Sequence, residues 1–196
     1  MIIWLNGAFG SGKTTCAFEL NRRLADSFVY DPENAGYFLR SNSPKELHEP
    51  DFQDNALWRA FNYDMLKYLS REYAGIIIAP MTVTNRRYYD EIVRRLIDDG
   101  VQVHHFILHA SRAALIKRLN KRLERGETWA KQQIDRCINA FDSIITEHKI
   151  MTDEKSVDNI IEEIAVKSGV TLLPDNRGRL KKKIDRVATL IRHIRG

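Results

Sequence analysis

The run Gly7-Ala8-Phe9-Gly10-Ser11-Gly12-Lys13-Thr14 has the spacing G-x-x-x-x-G-K-[ST], which suits it to gripping a polyphosphate. Glycines let the backbone curl until successive N–H groups point inward at phosphate oxygens. A helix reads as starting inside the run, so its positive dipole end faces the same anions. Lys13 brings a point charge to the terminal phosphates, and Thr14 brings a hydroxyl for Mg²⁺. A fortuitous glycine-rich turn is the alternative, but the strand before, the spacing and the helix after all agree. Gly7 through Thr14, with Thr15 adjoining, are therefore expected to bind ATP and Mg²⁺. The carboxylate that usually closes a later strand is missing, since Ile76-Ile77-Ile78-Ala79-Pro80-Met81-Thr82 offers none. Thr82 or a water is left for that place, and a vigorous NTP-hydrolysing motor is disfavoured.

Asp31 reads as the end of a short second strand, the binding edge of a doubly wound sheet. A carboxylate there could accept a proton from a substrate hydroxyl during phosphoryl transfer. It reads equally well as the cap of a helix opened by Pro32-Glu33, and one residue can do both. Arg118, Lys121, Arg122 and Arg125 put positive charge on a helix that ends at Gly126. Either they are a solvated face, or they belong to a lid over about 118–131, with Arg118 and Arg122 as candidates to stabilise charge developing in transfer. The segment 51–63 mixes aromatics, an arginine and amides; Phe52, Trp58, Arg59 and Asn62 suit a flat, polar-edged ligand such as a nucleoside or sugar. Core packing by Trp58 and Phe61 is the competing reading. His104 and His105 point to opposite faces of a strand, so no metal shared with His109 is expected.

These groups need a frame, and the chain alternates short apolar runs with longer amphipathic ones, the pattern of a parallel sheet covered by helices. Strands are expected at 2–6, 28–30, 75–79, 101–108 and 150–152. Helices are expected at 13–25, after 31, at 54–73, 87–99, from 111, at 130–143, 156–168 and from 179. The expected fold class is α/β: a three-layer P-loop fold with a five-stranded parallel sheet, a helical lid and a C-terminal basic amphipathic helix. A kinase-like domain is expected over 1–176, with the basic helix at 177–196.

The 196 residues, 43% hydrophobic and 29% charged, read as one soluble globular domain. No apolar stretch approaches the ~20 residues that span a bilayer, and the start does not read as a signal peptide. Cys16 and Cys137 read as buried free thiols in a reducing cytoplasm. The formal charge of +5 is uneven. Eight of the 31 Lys and Arg lie in 177–196 against one of the 26 acids, leaving that segment at +7 and the rest at −2. There Leu180, Ile184, Val187, Ile191 and Ile194 form an apolar stripe opposite basic residues. Peripheral contact with an anionic membrane and packing on the body or another subunit both fit; contact with nucleic acid is the weakest reading.

The phosphate loop together with Tyr30-Asp31-Pro32-Glu33, Asp51-Phe52-Gln53, Leu57-Trp58-Arg59-Ala60-Phe61-Asn62-Tyr63, Pro80-Met81-Thr82, His104-His105-Phe106 and Gln133-Ile134-Asp135-Arg136-Cys137 resembles the bacterial ATP-binding tunicamycin-resistance family. The resemblance runs nearly end to end, and the Trp-Arg-Ala-Phe-Asn and Asp-Phe-Gln segments are its most specific part. It implies a cytoplasmic ATP-binding protein that confers resistance to a nucleoside antibiotic, with the C-terminal helix at the membrane. It also implies a fold like that of shikimate kinase and chloramphenicol phosphotransferase. On that resemblance Gly12, Lys13 and Thr14 fall in the nucleotide site, Asp31 near the substrate hydroxyl, and Thr152 and Asp153 beside the adenine. Sequestering the drug and phosphorylating it both remain open, as does a cytosolic kinase for another hydroxyl-bearing small molecule.

Overall fold

Ile2 to Gly7 are buried one after another and form β1. A strand apolar on both sides must be covered on both, which is the situation of a central parallel strand. In this computed structural model, which describes residues 1–121 and 126–193, β1 indeed sits in the middle. With β2 (Ser27–Val29), β3 (Ile76–Pro80), β4 (Val103–His109) and β5 (Lys149–Met151) it makes an all-parallel sheet of order β2-β3-β1-β4-β5. Alternate residues of β1 feed two cores. Ile2 and Trp4 join Trp58, Leu66, Ile92, Leu96 and Phe141 on one side, and Ile3 and Leu5 join Cys16, Leu20, Phe106, Ile150 and Ile161 on the other.

The first core is covered by α3 (Ala56–Glu72), α8 (Ile134–Ser143) and the stretch α4 (Arg86–Tyr89) to α5 (Arg95–Asp98). The second is covered by α1 (Lys13–Arg23) and α9 (Val157–Ser168). The remaining helices are α2 (Glu33–Ser41), α6 (Arg112–Lys121), α7 (Trp129–Gln132) and α10 (Arg179–His193). The single helix expected at 87–99 is interrupted by a wider five-residue turn, Asp90–Arg94. The one expected at 130–143 is two helices meeting at Gln133. The loop expected over 41–51 contains a short turn, Lys45–Leu47, and a second follows at Phe52–Asp54. Both cysteines are buried and free; burial pushes the Cys16 thiol up to about 12, so it stays a thiol.

The terminal helix packs on the body, one of the readings open for it, but not through its apolar stripe. Leu180, Ile184, Val187 and Ile191 are exposed, so among the described residues the apolar stripe does not pack on the body. The polar face packs instead, on α1. Glu19 of α1, fully buried, is met by Arg22 at 2.6 Å, Arg177 at 2.8 Å and Arg186 at 3.2 Å. Arg177 also pairs with Asp175 and Asp185, while Lys182 and Arg186 reach Asp158.

His105, on the face of β4 opposite His104, is buried against Tyr89 with neither ring nitrogen hydrogen-bonded among the described residues. Its nearest acid is Glu147, 3.9 Å from Nδ1. Burial, helped by His148, lowers its pKa from 6.5 to about 3. The unfolded chain therefore binds a proton that the folded one refuses as pH falls from 6.5 to about 3, and stability falls with it. His105→Phe is expected to match the parent at pH 7 and to exceed it by about 2 kcal/mol at pH 5, from ~1.4 kcal/mol per pH unit for one proton. Urea unfolding at the two pH values checks this; equal acid sensitivity of parent and variant would refute it.

Candidate functional site

At the carboxyl end of β1 the chain turns through Ala8 to Gly12 into α1. Gly7 has φ 141°, and a Cβ on it would lie 2.5 Å from the Leu108 carbonyl oxygen, so a side chain is excluded there. Just before it, the buried Asn6 ties the loop to the segment after β3. Its Oδ1 accepts from the N–H groups of Gly7 and Val83, both at 2.9 Å, and its Nδ2 donates to the Val83 carbonyl. The Thr82 hydroxyl donates to the Gly7 carbonyl at 2.8 Å. Thr82, considered above for the metal side, is thus a buried brace of the loop.

Lys13 folds back into this cradle, with Nζ donating to the carbonyls of Gly7 at 2.8 Å and Ala8 at 3.1 Å. No acid stands in the first turn of α1, so the helix itself brings no carboxylate to its positive end. The Ser11 hydroxyl is buried without a partner among the described residues, which leaves a donor for an anion. Thr14 is half-buried in the first turn of α1, and Thr15 behind it is buried. The residues fit a phosphate group, and Thr14 is the residue whose hydroxyl would offer an oxygen ligand to Mg²⁺ there.

Beside the loop lies a cleft of about 410 Å³ lined by Ala113, Ala114, Lys117, Arg118, Lys121 and Asp153. Arg118 donates to the Thr152 hydroxyl at 2.9 Å, to the Thr152 carbonyl at 2.6 Å and to the Ser11 carbonyl at 3.5 Å. It therefore joins the phosphate loop to the turn after β5. Thr152 is fully buried behind it. Asp153 accepts from the Ser111 N–H and hydroxyl, and the Ser111 hydroxyl chiefly holds its carboxyl below the usual range. Lys117 was not singled out in the sequence, although with Ala114, Arg118 and Lys121 it shares one helical face. Arg122 and Arg125 lie outside the described residues. Of the lid expected at 118–131, residues 118–121 at the end of α6 and 126–131, which take in α7 as far as Lys131, are described. Trp129 of α7 meets the Phe9 ring edge-on at 5.0 Å, a contact with the loop that no spacing in the sequence announced.

Asp31 follows β2, and its Oδ1 accepts from the Glu33 N–H at 3.0 Å, the first N–H of α2, from one place before the cap position, which is Pro32 and not Asp31 as expected. Phe52 is half-buried against the face of Gly36, where an added Cβ would come within 2.6 Å of its ring, and against Trp58. Trp58, Arg59 and Asn62, expected to contact a ligand, sit inside the molecule at 0%, 3% and 0% exposure. Arg59 pairs with Glu91, donates to the Gln53 carbonyl and stacks over Tyr88 at 4.4 Å. Trp58 and Asn62 hold the Asp31 segment, as described below. Of the four candidates in this segment, only Phe52 is thus partly open to a ligand.

A family model described as an AAA domain matches residues 2–144. Among solved structures, the tunicamycin resistance protein of Deinococcus radiodurans is 34% identical, with a TM-score of 0.77 and coverage of 89% of this chain and 98% of that one. A sugar kinase from Janibacter sp. is 15% identical with a TM-score of 0.63, covering 87% and 95%. The shikimate kinase of Bacteroides thetaiotaomicron is 16% identical with a TM-score of 0.59, covering 87% and 99%. These two show the fold alone. No curated protein sequence matches the chain. A phosphate loop between β1 and α1 of a five-stranded parallel sheet, and one residue in three shared over nearly the whole length, mean that this chain belongs to the AAA-domain family and, within its P-loop kinase-like group, with the tunicamycin resistance proteins.

Proposed function

We propose that the protein binds Mg-ATP and confers resistance to tunicamycin, or a similar nucleoside antibiotic, by transferring the γ-phosphoryl group to a hydroxyl of the drug. The observation that carries this is the cradle itself: Lys13 inside it, a helix start with no acid in its first turn, and a basic cleft alongside for the rest of the nucleotide. The drug's hydroxyl oxygen bonds to the γ-phosphorus, the bond to the β–γ bridging oxygen breaks, and ADP leaves. Asp31 takes the hydroxyl proton. Lys13 neutralises the terminal phosphates; Arg118, anchored beside the loop, and Arg122 are the proposed cations for charge that develops in transfer. When bound, Mg²⁺ neutralises charge on the β- and γ-phosphates, and Thr14 is the residue that would hold it. Asp153, in the lining of the cleft, is proposed to border the base, with the buried Thr152 behind Arg118 supporting it, and the half-buried Phe52 is proposed to contact the drug. Residues 1–176 are the proposed catalytic unit and 177–196 an accessory segment that carries α10.

Incubating the protein with Mg-ATP and tunicamycin should add the mass of one phosphoryl group to the drug. Asp31→Asn should abolish that product and leave ATP affinity within about twofold, since the side chain is proposed to act on the proton alone. An unmodified drug held only when ATP is present would favour a second reading, ATP-gated sequestration. Unchanged tolerance in sensitive bacteria expressing the protein would defeat both, and leave a kinase for another small hydroxyl compound.

The protein works in the cytoplasm and touches the inner membrane face through α10. The support is its outward stripe, Leu180, Ile184, Val187 and Ile191, all exposed on a docked helix. Burying each of these side chains in lipid gains roughly 1.5–3 kcal/mol. Ile184→Glu with Ile191→Glu should therefore release the protein from anionic vesicles into the supernatant, and co-sedimentation equal to that of the parent would refute lipid contact by this face.

A further inference from the structure

We infer that Trp58 and Asn62 are positioning residues for Asp31: one turn of α3 grips the chain on both sides of that carboxylate, by the Tyr30 side chain before it and the Pro32 carbonyl after it. The inference rests on the reading of Asp31 as the proton acceptor. On the near side, the Tyr30 hydroxyl donates to Asn62 Oδ1 at 2.7 Å. On the far side, Trp58 Nε1 donates to the Pro32 carbonyl at 3.0 Å. The two grips are themselves joined, because Asn62 Nδ2 donates to the Trp58 carbonyl at 2.8 Å. Trp58 and Asn62 are four residues apart, hence on one face of α3, and both are fully buried. Neither can therefore reach a ligand in this arrangement, although their composition suggested it.

The need for such a grip follows from the topology. β2 is an edge strand of three residues paired only to β3. Its last ladder bond runs from the Tyr30 N–H to the Ile78 carbonyl at 3.0 Å. Beyond that bond the sheet no longer holds the chain, and Asp31 is the next residue. A proton acceptor must sit within a few tenths of an ångström of its working place, and a misplacement of 1 Å can cost about a hundredfold in rate. The grip on residues 30 and 32 removes the freedom that an edge segment would otherwise have. Burial, with the Asp31 carboxylate contributing, also pushes the Tyr30 phenol up, so its proton stays on the hydrogen bond to Asn62.

Tyr30→Phe combined with Asn62→Leu removes both partners of the near grip while nearly keeping their shape. Replacing both members leaves no buried polar group stranded, so the fold should survive. Trp58→Phe removes the far donor and keeps an aromatic ring. With tunicamycin and Mg-ATP, either change should lower kcat by about 10- to 100-fold, with the KM for ATP within about twofold and the thermal midpoint within a few degrees. The ¹³C signal of the Asp31 carboxyl should be single and sharp in the parent, and broadened or shifted in both variants. That second readout does not depend on any transfer reaction.

If Asp31→Asn leaves phosphoryl transfer intact, the role proposed for Asp31 is wrong, and a changed carboxyl signal would still show that α3 fixes it. If Asp31→Asn stops transfer while both α3 variants keep the parent's kcat and carboxyl signal, the positioning role is overturned and the catalytic one stands. A fall in ATP affinity parallel to kcat would also overturn it, since that would mark a general loss of structure.

Discussion

Lys13→Ala is expected to raise the Kd for Mg-ATP by about 10- to 150-fold, the ratio given by losing a charged hydrogen bond worth ~1.5–3 kcal/mol. Nζ lies 2.8 and 3.1 Å from two loop carbonyls, a position from which it can turn to phosphate oxygens without moving the backbone. The side chain is half-buried and outside both cores, so the thermal midpoint without nucleotide should barely change. Isothermal titration with Mg-ATP and a melting curve separate the two effects. Nucleotide affinity equal to the parent's would mean that the cradle does not hold the phosphates, and the functional reading would fall with it.

Glu19→Gln is expected to have the largest effect on stability. The carboxylate is fully inside, between three guanidinium groups at 2.6 to 3.2 Å. Removing one partner of a buried pair typically costs ~3–5 kcal/mol. Arg177 and Arg186 keep about a fifth of their side-chain surface in water and have Asp175, Asp185 and Asp158 as other partners. The lower end, about 3 kcal/mol, is therefore expected, with α10 fraying from α1 before the sheet unfolds. Hydrogen exchange in 179–193 and the protein's susceptibility to protease in that segment report the fraying directly; protection unchanged from the parent would refute the latch.

The same network sets an acid limit. Burial raises the Glu19 carboxyl, but hydrogen bonds and charge from Arg177 and Arg186 outweigh it and leave the group below its ordinary 4.5. Asp175 is held far down, chiefly by Arg177, and Asp185 down by Lys181 and Arg177. Groups whose folded values lie below their unfolded ones stabilise above the unfolded value and stop doing so as pH falls through the folded one. Docking of α10 should accordingly be insensitive between pH 6 and 8 and weaken below about pH 4.

The phosphate loop was legible because it is local. Eight consecutive residues carry the glycines, the lysine and the hydroxyl, and a strand and a helix adjoin them in sequence. The same locality made the sheet legible, since buried parallel strands announce themselves as short apolar runs, and the start of α2 to within one residue, since Asp31, Pro32 and Glu33 are adjacent. The Trp-Arg-Ala-Phe-Asn segment misled for the converse reason. Its aromatic and amide groups have the composition of a ligand site, but their hydrogen-bond partners, Tyr30, Pro32 and Glu91, lie about thirty residues away in sequence.

What the sequence determined by itself was the periodicity of the elements, the anion cradle at the first of them and the two-sided character of the terminal helix. Only the tertiary structure decided which side of that helix faces the body. Periodicity sorts residues onto faces but does not say which face has a partner. Here the partner is a buried carboxylate on α1, and a charge placed inside a protein must be met by opposite charge. The face that carries Lys182 and Arg186 is therefore drawn inward, and the apolar stripe is left on the outside.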